Sequence, residues 1–79
     1  MYALYLVQCA DGSLYTGIAR DVQRRVQEHN TSSRGAKYTK GRRPVRLVYA
    51  KKYHNRSTAS RAEARMKQLS RTAKLKLIR

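Results

Sequence analysis

Two runs rich in aliphatic and tyrosine residues open the chain, Tyr2 to Gln8 (YALYLVQ) and Leu14 to Ala19 (LYTGIA). Between them, Ala10-Asp11-Gly12-Ser13 carries turn chemistry, so the pattern predicts a β-hairpin. From Asp21 the period changes. Val22 and Val26 stand one helical turn apart and Asp21 offers an N-cap oxygen, which predicts a helix over Val22 to His29. Arg25 and His29 are also four apart and project along the stripe beside the apolar one. Asn30 to Pro44 has no period, and Gly35, Gly41 and Pro44 punctuate it. It reads as a long loop, a feature that in compact domains is generally functional or mobile. Val45 to Ala50 reads as a third strand, placed at a sheet edge or strand start by Pro44. Ser57 is then expected to cap a helix whose Ala59, Ala62, Met66 and Leu69 share a face, and Ser70 to cap a short last helix with Leu75 and Ile78 inward. The order ββαβαα predicts an α+β fold, a three-stranded antiparallel sheet with three helices packed against it.

Length confines this pattern to one domain over residues 1–79, with a thin core, because a chain this short buries only about 60% of its unfolded surface. The longest apolar run, Ala3 to Val7, is far below the ~20 residues of a membrane span and has no signal-peptide layout. A cytoplasmic protein without membrane attachment is expected. Cys9 is the lone cysteine, which excludes an internal disulfide and a multi-thiol zinc site, and it reads as a small buried apolar residue. No hydrophobic surplus points to obligate association, so a monomer is expected.

Charge narrows the partner. Nineteen Lys and Arg face four Asp and Glu, a net charge of +15, and such self-repulsion is relieved on a polyanion. The cations fall in clusters: Arg20, Arg24 and Arg25; Arg34, Lys37, Lys40, Arg42, Arg43 and Arg46; Lys51 and Lys52; and Arg71, Lys74, Lys76 and Arg79. Each alone is a solvated face, while their sum against four acids argues for phosphate contact. Tyr38, inside the basic loop, is placed to stack on a base of a single strand.

Hydrolysis of a phosphodiester needs an activated water, positive charge on the developing transition state and generally a divalent metal, hence an acidic ligand. Of the four acids, Asp11 lies in the turn, Asp21 is a cap, Glu28 sits inside the first helix, and Glu63 remains, flanked by alanines in Arg61-Ala62-Glu63-Ala64-Arg65. Plainer readings exist for every candidate. Glu63 can pair with Lys67 for about 0.3 kcal/mol; Arg25 and His29 can simply meet backbone phosphate; Tyr5 and Tyr15 can pack between strands; and Gly17 can mark a bulge or close approach.

In combination these residues resemble the GIY-YIG nuclease superfamily, in particular its small stand-alone members, over essentially the whole chain. There, two strand motifs each bearing a tyrosine precede a helix with an arginine, and a glutamate follows on a later helix. Here the motifs are Leu4-Tyr5-Leu6 and Tyr15-Thr16-Gly17, the first helix brings Arg25 and His29, and the later one Glu63. The stretches CADGSLYTGIA, GAKYTKGRRPVRLVY and AEARMKQLSR are also similar to the small branch. The resemblance implies a metal-dependent endonuclease acting on DNA rather than RNA, selective for structure rather than sequence, with a partner protein able to supply targeting. Glu63 would be the single protein ligand to Mg²⁺ or Mn²⁺. Arg25 would meet the scissile phosphate, Tyr5 would act as general base or position the nucleophile, Tyr15 would place water or phosphate, and His29 would assist proton transfer. Gly17 would keep the second strand clear of the substrate backbone, with Arg24, Lys37, Tyr38, Lys40, Arg42 and Arg43 binding the nucleic acid. A phenol of pKa ~10 needs cationic neighbours to serve as a base near neutrality, and Arg25 with the metal would supply them. The chain departs from the superfamily's larger repair enzymes where it has Ile18 in place of a lysine after the second motif and Leu75 near the place of a late-helix asparagine. A non-catalytic nucleic-acid-binding module on the same scaffold is the alternative, with salt-dependent affinity and no cleavage. Charge alone also suits a ribosome-attached protein.

Overall fold

The computed structural model describes residues 1–31 and 37–78, with Lys37 described by its backbone only. Arg34, Gly35, Arg79 and the Lys37 side chain, all singled out above, lie outside the described residues.

A five-residue apolar run with no polar alternation can be satisfied only by cover on both faces, and β1 (Tyr2–Gln8) is accordingly the central strand. The sheet order is β2 (Leu14–Ala19), β1, β3 (Arg46–Tyr53), and both pairings are antiparallel. Ala3 through Val7 are all buried. Leu4 and Leu6 face a cluster with Ala62 and Met66, whereas Tyr5 and Val7 face the opposite cluster with Cys9 and Val45, flanked by Val22 and Val26. Helix α1 (Val22–Thr31) therefore lies on one face of the sheet and α3 (Arg56–Gln68) on the other.

The hairpin forms where the turn residues stand. Asp11 Oδ1 accepts from the Ser13 amide at 3.0 Å and from its hydroxyl at 2.6 Å, and Gly12 takes φ +85°, a conformation that side-chain-bearing residues rarely adopt. β3 runs three residues past the expected end at Ala50: Lys51, Lys52 and Tyr53 pair with Leu4, Ala3 and Tyr2. Lysine is a common residue of an edge strand, where it discourages further pairing.

Asp21 caps α1 through its Oδ1, which accepts from the Arg24 amide at 3.0 Å. The cap of α3 is Asn55, not Ser57, and the helix starts earlier than the serine suggested. Asn55 and Thr58 form a reciprocal capping box that satisfies two otherwise orphaned amides. Leu69 falls at the C-cap, 40% exposed, so it does not extend the buried face of Ala59, Ala62 and Met66. Ser70 does cap α4 (Arg71–Ile78), its Oγ accepting from the Ala73 amide at 3.1 Å. Leu75 and Ile78 are half-buried, and no residue of α4 is fully buried.

The order ββαβαα holds, with one addition. Inside the stretch read as loop, Lys37–Lys40 forms a single helical turn, α2. Flanking glycines and the absence of an apolar stripe hid it. The described ends of that connection are fastened: Asn30 exchanges two hydrogen bonds with the Val45 backbone, at 2.9 and 2.7 Å, and the Ala10 amide donates to the Arg42 carbonyl. Among the described residues no helix is long and apolar enough to cross a membrane.

Thr16, on β2, is 4% exposed, and its Oγ1 is the buried side-chain polar atom left without a hydrogen-bond partner among the described residues. An unpaired buried hydroxyl is destabilising relative to a methyl of the same shape. Thr16→Val is therefore expected to raise stability by about 1 kcal/mol, read as a higher urea midpoint. A lower midpoint would show that the hydroxyl has a partner in solution.

Candidate active site

Tyr5 sits on the most buried strand, and its opposite number on β2 is Gly17. A Cβ built on Gly17 would lie 2.5 Å from the Tyr5 hydroxyl oxygen and 2.7 Å from Cζ. The phenol thus lies across the bare Gly17 backbone, and the missing side chain is what lets it reach its partners. The close approach marked by Gly17 is to Tyr5.

Those partners come from α1. The Tyr5 hydroxyl is 2.8 Å from His29 Nε2, and the Arg25 guanidinium also hydrogen-bonds it. Burial pushes the Tyr5 pKa up to about 12; the Tyr15 phenol adds to this, the hydrogen bond and charge of Arg25 oppose it, and the Glu63 carboxylate raises it a little more. The cation expected to favour a phenolate is present, and burial outweighs it, so Tyr5 is a neutral phenol near pH 7.

His29 is fully buried at the C-terminal end of α1. Its pKa is lowered, first by burial and then by the charge of Arg25, with Glu28 opposing and Arg43 adding to the shift. The imidazole is neutral, with one nitrogen protonated. Its Nδ1 lies 3.1 Å from the hydroxyl of Thr39, itself fully buried on α2. Arg25 can only donate to the Tyr5 oxygen, so the phenolic proton is free to point at Nε2. With the phenolic proton directed at Nε2, the proton of His29 sits on Nδ1, toward Thr39; the roles of the two ring nitrogens follow from that tautomer. Thr39 escaped the sequence reading because a threonine in a polar loop carries no periodic signal; the short helix α2 is what inserts it.

Tyr15 meets the His29 ring edge-on at 5.3 Å and stacks on Tyr38 at 5.8 Å. Tyr38 is 40% exposed, and Arg42 lies over its ring, 4.2 Å from the centroid. Arg42 is also held by Asp11 Oδ2 at 3.1 Å and by the Tyr38 carbonyl at 2.7 Å, while Arg43 donates to the His29 carbonyl. Arg43 ties the basic segment to His29, and Arg42 ties it to the hairpin turn. Arg24 and Lys40 stand exposed. Arg25 Nη1 lies 3.0 Å from Glu28 Oε1, so Glu28, read as an ordinary helix residue, orients the guanidinium.

Glu63 comes from α3, on the other side of the sheet, and its charge reaches the Tyr5 hydroxyl. The carboxylate is partly exposed and pairs with Lys67 at 3.6 Å, as its i,i+4 spacing suggested. No group of three or more His, Cys, Asp or Glu able to hold a metal ion occurs among the described residues. A single carboxylate is nevertheless a donor set that fits Mg²⁺-type ions, which keep waters and take substrate oxygens, and Glu63 would be the residue to hold one. Ile18 packs against the Leu4, Leu6, Ala62 and Met66 cluster, so the position of the larger enzymes' lysine is spent on the core here.

The His29 environment has a pH consequence. Its folded pKa lies below the unfolded value near 6.5, so its contribution to stability is intact above pH 6.5 and is lost as pH falls from there toward the folded value. Urea midpoints measured between pH 7.5 and 5 are expected to fall more steeply for the wild type than for His29→Gln. Equal slopes would contradict a neutral buried imidazole.

A central-strand tyrosine lying over a glycine, with arginine and histidine from one helix and a glutamate from another, places this chain among small nuclease-type catalytic domains. It belongs to the GIY-YIG family, whose model, described as the GIY-YIG catalytic domain, matches residues 1–76. Among curated relatives, a UPF0213 protein of Desulfotalea psychrophila is 54% identical over 76 residues, covering 96% of this chain and 69% of its own length. A UPF0213 protein of Staphylococcus aureus is 53% identical over 76 residues, covering 96% of this chain and 92% of its own. The solution structure of a UPF0213 protein from Bacillus halodurans is similar with a TM-score of 0.61 at 44% identity, covering 99% of this chain and 83% of that one.

Proposed function

We propose that this protein is a metal-dependent endonuclease that hydrolyses phosphodiester bonds in cytoplasmic DNA, recognising structure rather than sequence. The observation that carries the reading is the buried Tyr5–His29 hydrogen bond beside Arg25, a neutral donor–acceptor pair next to a fixed cation. Arg25, oriented by Glu28, donates to a non-bridging oxygen of the scissile phosphate and stabilises the added negative charge as the transition state forms. Water attacks phosphorus as its proton passes to the Tyr5 oxygen, while the Tyr5 proton moves to His29 Nε2. The new bond is water oxygen to phosphorus, and the bond that breaks is phosphorus to the leaving sugar oxygen, which departs with the electron pair and takes a proton from solvent water. His29 ends the step as an imidazolium, its Nδ1 proton still held by Thr39, and the proton it gained returns to solvent after the step. Thus Tyr5 works as a proton conduit, and no free phenolate is needed despite its raised pKa. Tyr15 braces the imidazole from the edge. Glu63 would hold Mg²⁺ or Mn²⁺, which supplies charge neutralisation at the phosphate.

The net charge of +15 supports a nucleic-acid substrate. The test is a cleavage screen over single-stranded, duplex, flap and junction DNA and the matching RNAs, with and without Mg²⁺ or Mn²⁺. Metal-dependent cutting of DNA, strongest on branched or single-stranded forms and absent in Glu63→Ala, is expected. Binding without cleavage under every condition, or equal cleavage by Glu63→Ala, would overturn it.

A further inference from the structure

Helix α4 contributes no fully buried residue, so its place in the fold is not explained by the core. It carries Arg71 and Lys74 in its first turn and no acid there, although the N-terminal end of a helix is already electropositive. Two cations at that end are locally unfavourable, and a bound anion relieves them. Their surroundings are specific. Arg71 and Lys74 line a notch of about 210 Å³ together with Ser13, Leu14 and Tyr38. The Arg71 guanidinium lies against the hairpin turn, with Nη2 3.7 Å from where a Gly12 Cβ would stand. Neither cation forms an ion pair among the described residues. The carboxylate of the same turn, Asp11, is engaged by Ser13 and Arg42, and its pKa is held down first by the Ser13 hydrogen bonds.

The notch has two characters, apolar at Leu14 and the Tyr38 ring and cationic at Arg71 and Lys74. That is the chemistry of a nucleotide, with a sugar or base edge on one side and a phosphate on the other. It also adjoins the candidate active site through a single pair of rings, because Tyr38 stacks on Tyr15 and Tyr15 touches His29. We propose that the notch between the hairpin turn and α4 is a second phosphate site, which grips a nucleotide of the substrate strand beyond the scissile bond. A strand leaving the Tyr5–Arg25 site over the Tyr15–Tyr38 pair is delivered to Arg71 and Lys74. The inference rests on the nucleic-acid reading above and assigns the last helix to strand binding, apart from the chemistry.

The experiment compares the wild type with Arg71→Gln/Lys74→Gln, and with Lys51→Gln/Lys52→Gln as a control that removes the same charge from β3. Glutamine keeps helix propensity, and no residue of α4 is fully buried, so folding is expected to survive. Binding of a fluorescein-labelled single-stranded DNA oligonucleotide is followed by anisotropy in EDTA across a salt series. The α4 variant is expected to bind about tenfold more weakly, with the slope of log K against log salt smaller by about 1.4, the value for two lost phosphate contacts on a single strand. The control should change far less. In a cleavage assay of the same strand, the α4 variant should raise KM and leave kcat near the wild-type value. Equal losses in the two variants would overturn the site, as would a fall in kcat with unchanged affinity. If the wild type cuts nothing, the nuclease reading fails, and the binding comparison still decides the notch.

Discussion

Gly17→Ala is expected to reduce cleavage by about 100-fold or more, although it adds one methyl group to a strand. That methyl would sit 2.5 Å from the Tyr5 oxygen and 2.7 Å from Cζ, and the second of these atoms belongs to a rigid ring on a fully buried strand. The phenol has to shift, and with it the 2.8 Å bond to His29. Misplacing a catalytic group by about 1 Å is enough for a loss of that order. Overpacking should also lower stability by about 1–3 kcal/mol. A double-mutant cycle separates this cause from any general effect of alanine in β2: in a Tyr5→Leu background, whose shorter side chain lacks the ring, most of the stability cost of Gly17→Ala should vanish. An undiminished cost in that background, or full activity of Gly17→Ala, would show that the glycine serves another purpose.

Much of this was legible in the chain. The hairpin, the Asp21 cap and the Arg25/His29 stripe follow from short-range pattern, because turn chemistry and helical period act over a few residues. The spacing of Tyr5, Tyr15, Arg25, His29 and Glu63 pointed to the family, and the family model confirms that membership. What sequence could not show depends on long-range contact. Lys51 and Lys52 stand beyond the strand end that the pattern gives, and join the strand through pairing with β1. Thr39 has no pattern of its own, and its meaning comes from His29, ten residues earlier in the chain. The pKa of Tyr5 was the subtler matter. Nearby cations suggested a more acidic phenol, and burial on the central strand, with smaller contributions from the Tyr15 phenol and the Glu63 carboxylate, reverses the sign.

That reversal changes the chemistry expected of the residue. A phenol with pKa about 12 is almost never ionised at pH 7, so under the proposed mechanism Tyr5 passes a proton between water and a neutral imidazole instead of acting as a phenolate. Lowering the pKa of His29 keeps that imidazole in its accepting form across the neutral range, and Thr39 keeps the accepting nitrogen turned toward Tyr5. Burial thus serves both ends of the same hydrogen bond.

Single-turnover cleavage by Tyr5→Phe is the most direct test of the central claim, that the Tyr5 hydroxyl carries the proton. Phenylalanine keeps the ring over Gly17 and removes only the oxygen that lies 2.8 Å from His29 Nε2. The fold should survive with a stability loss of about 1–3 kcal/mol, since a buried hydrogen bond is removed. With protein in excess over DNA and Mg²⁺ present, the account predicts a rate lower by about 10²- to 10⁴-fold and an affinity for the DNA close to that of the wild type. Cleavage by Tyr5→Phe at the wild-type rate would contradict it.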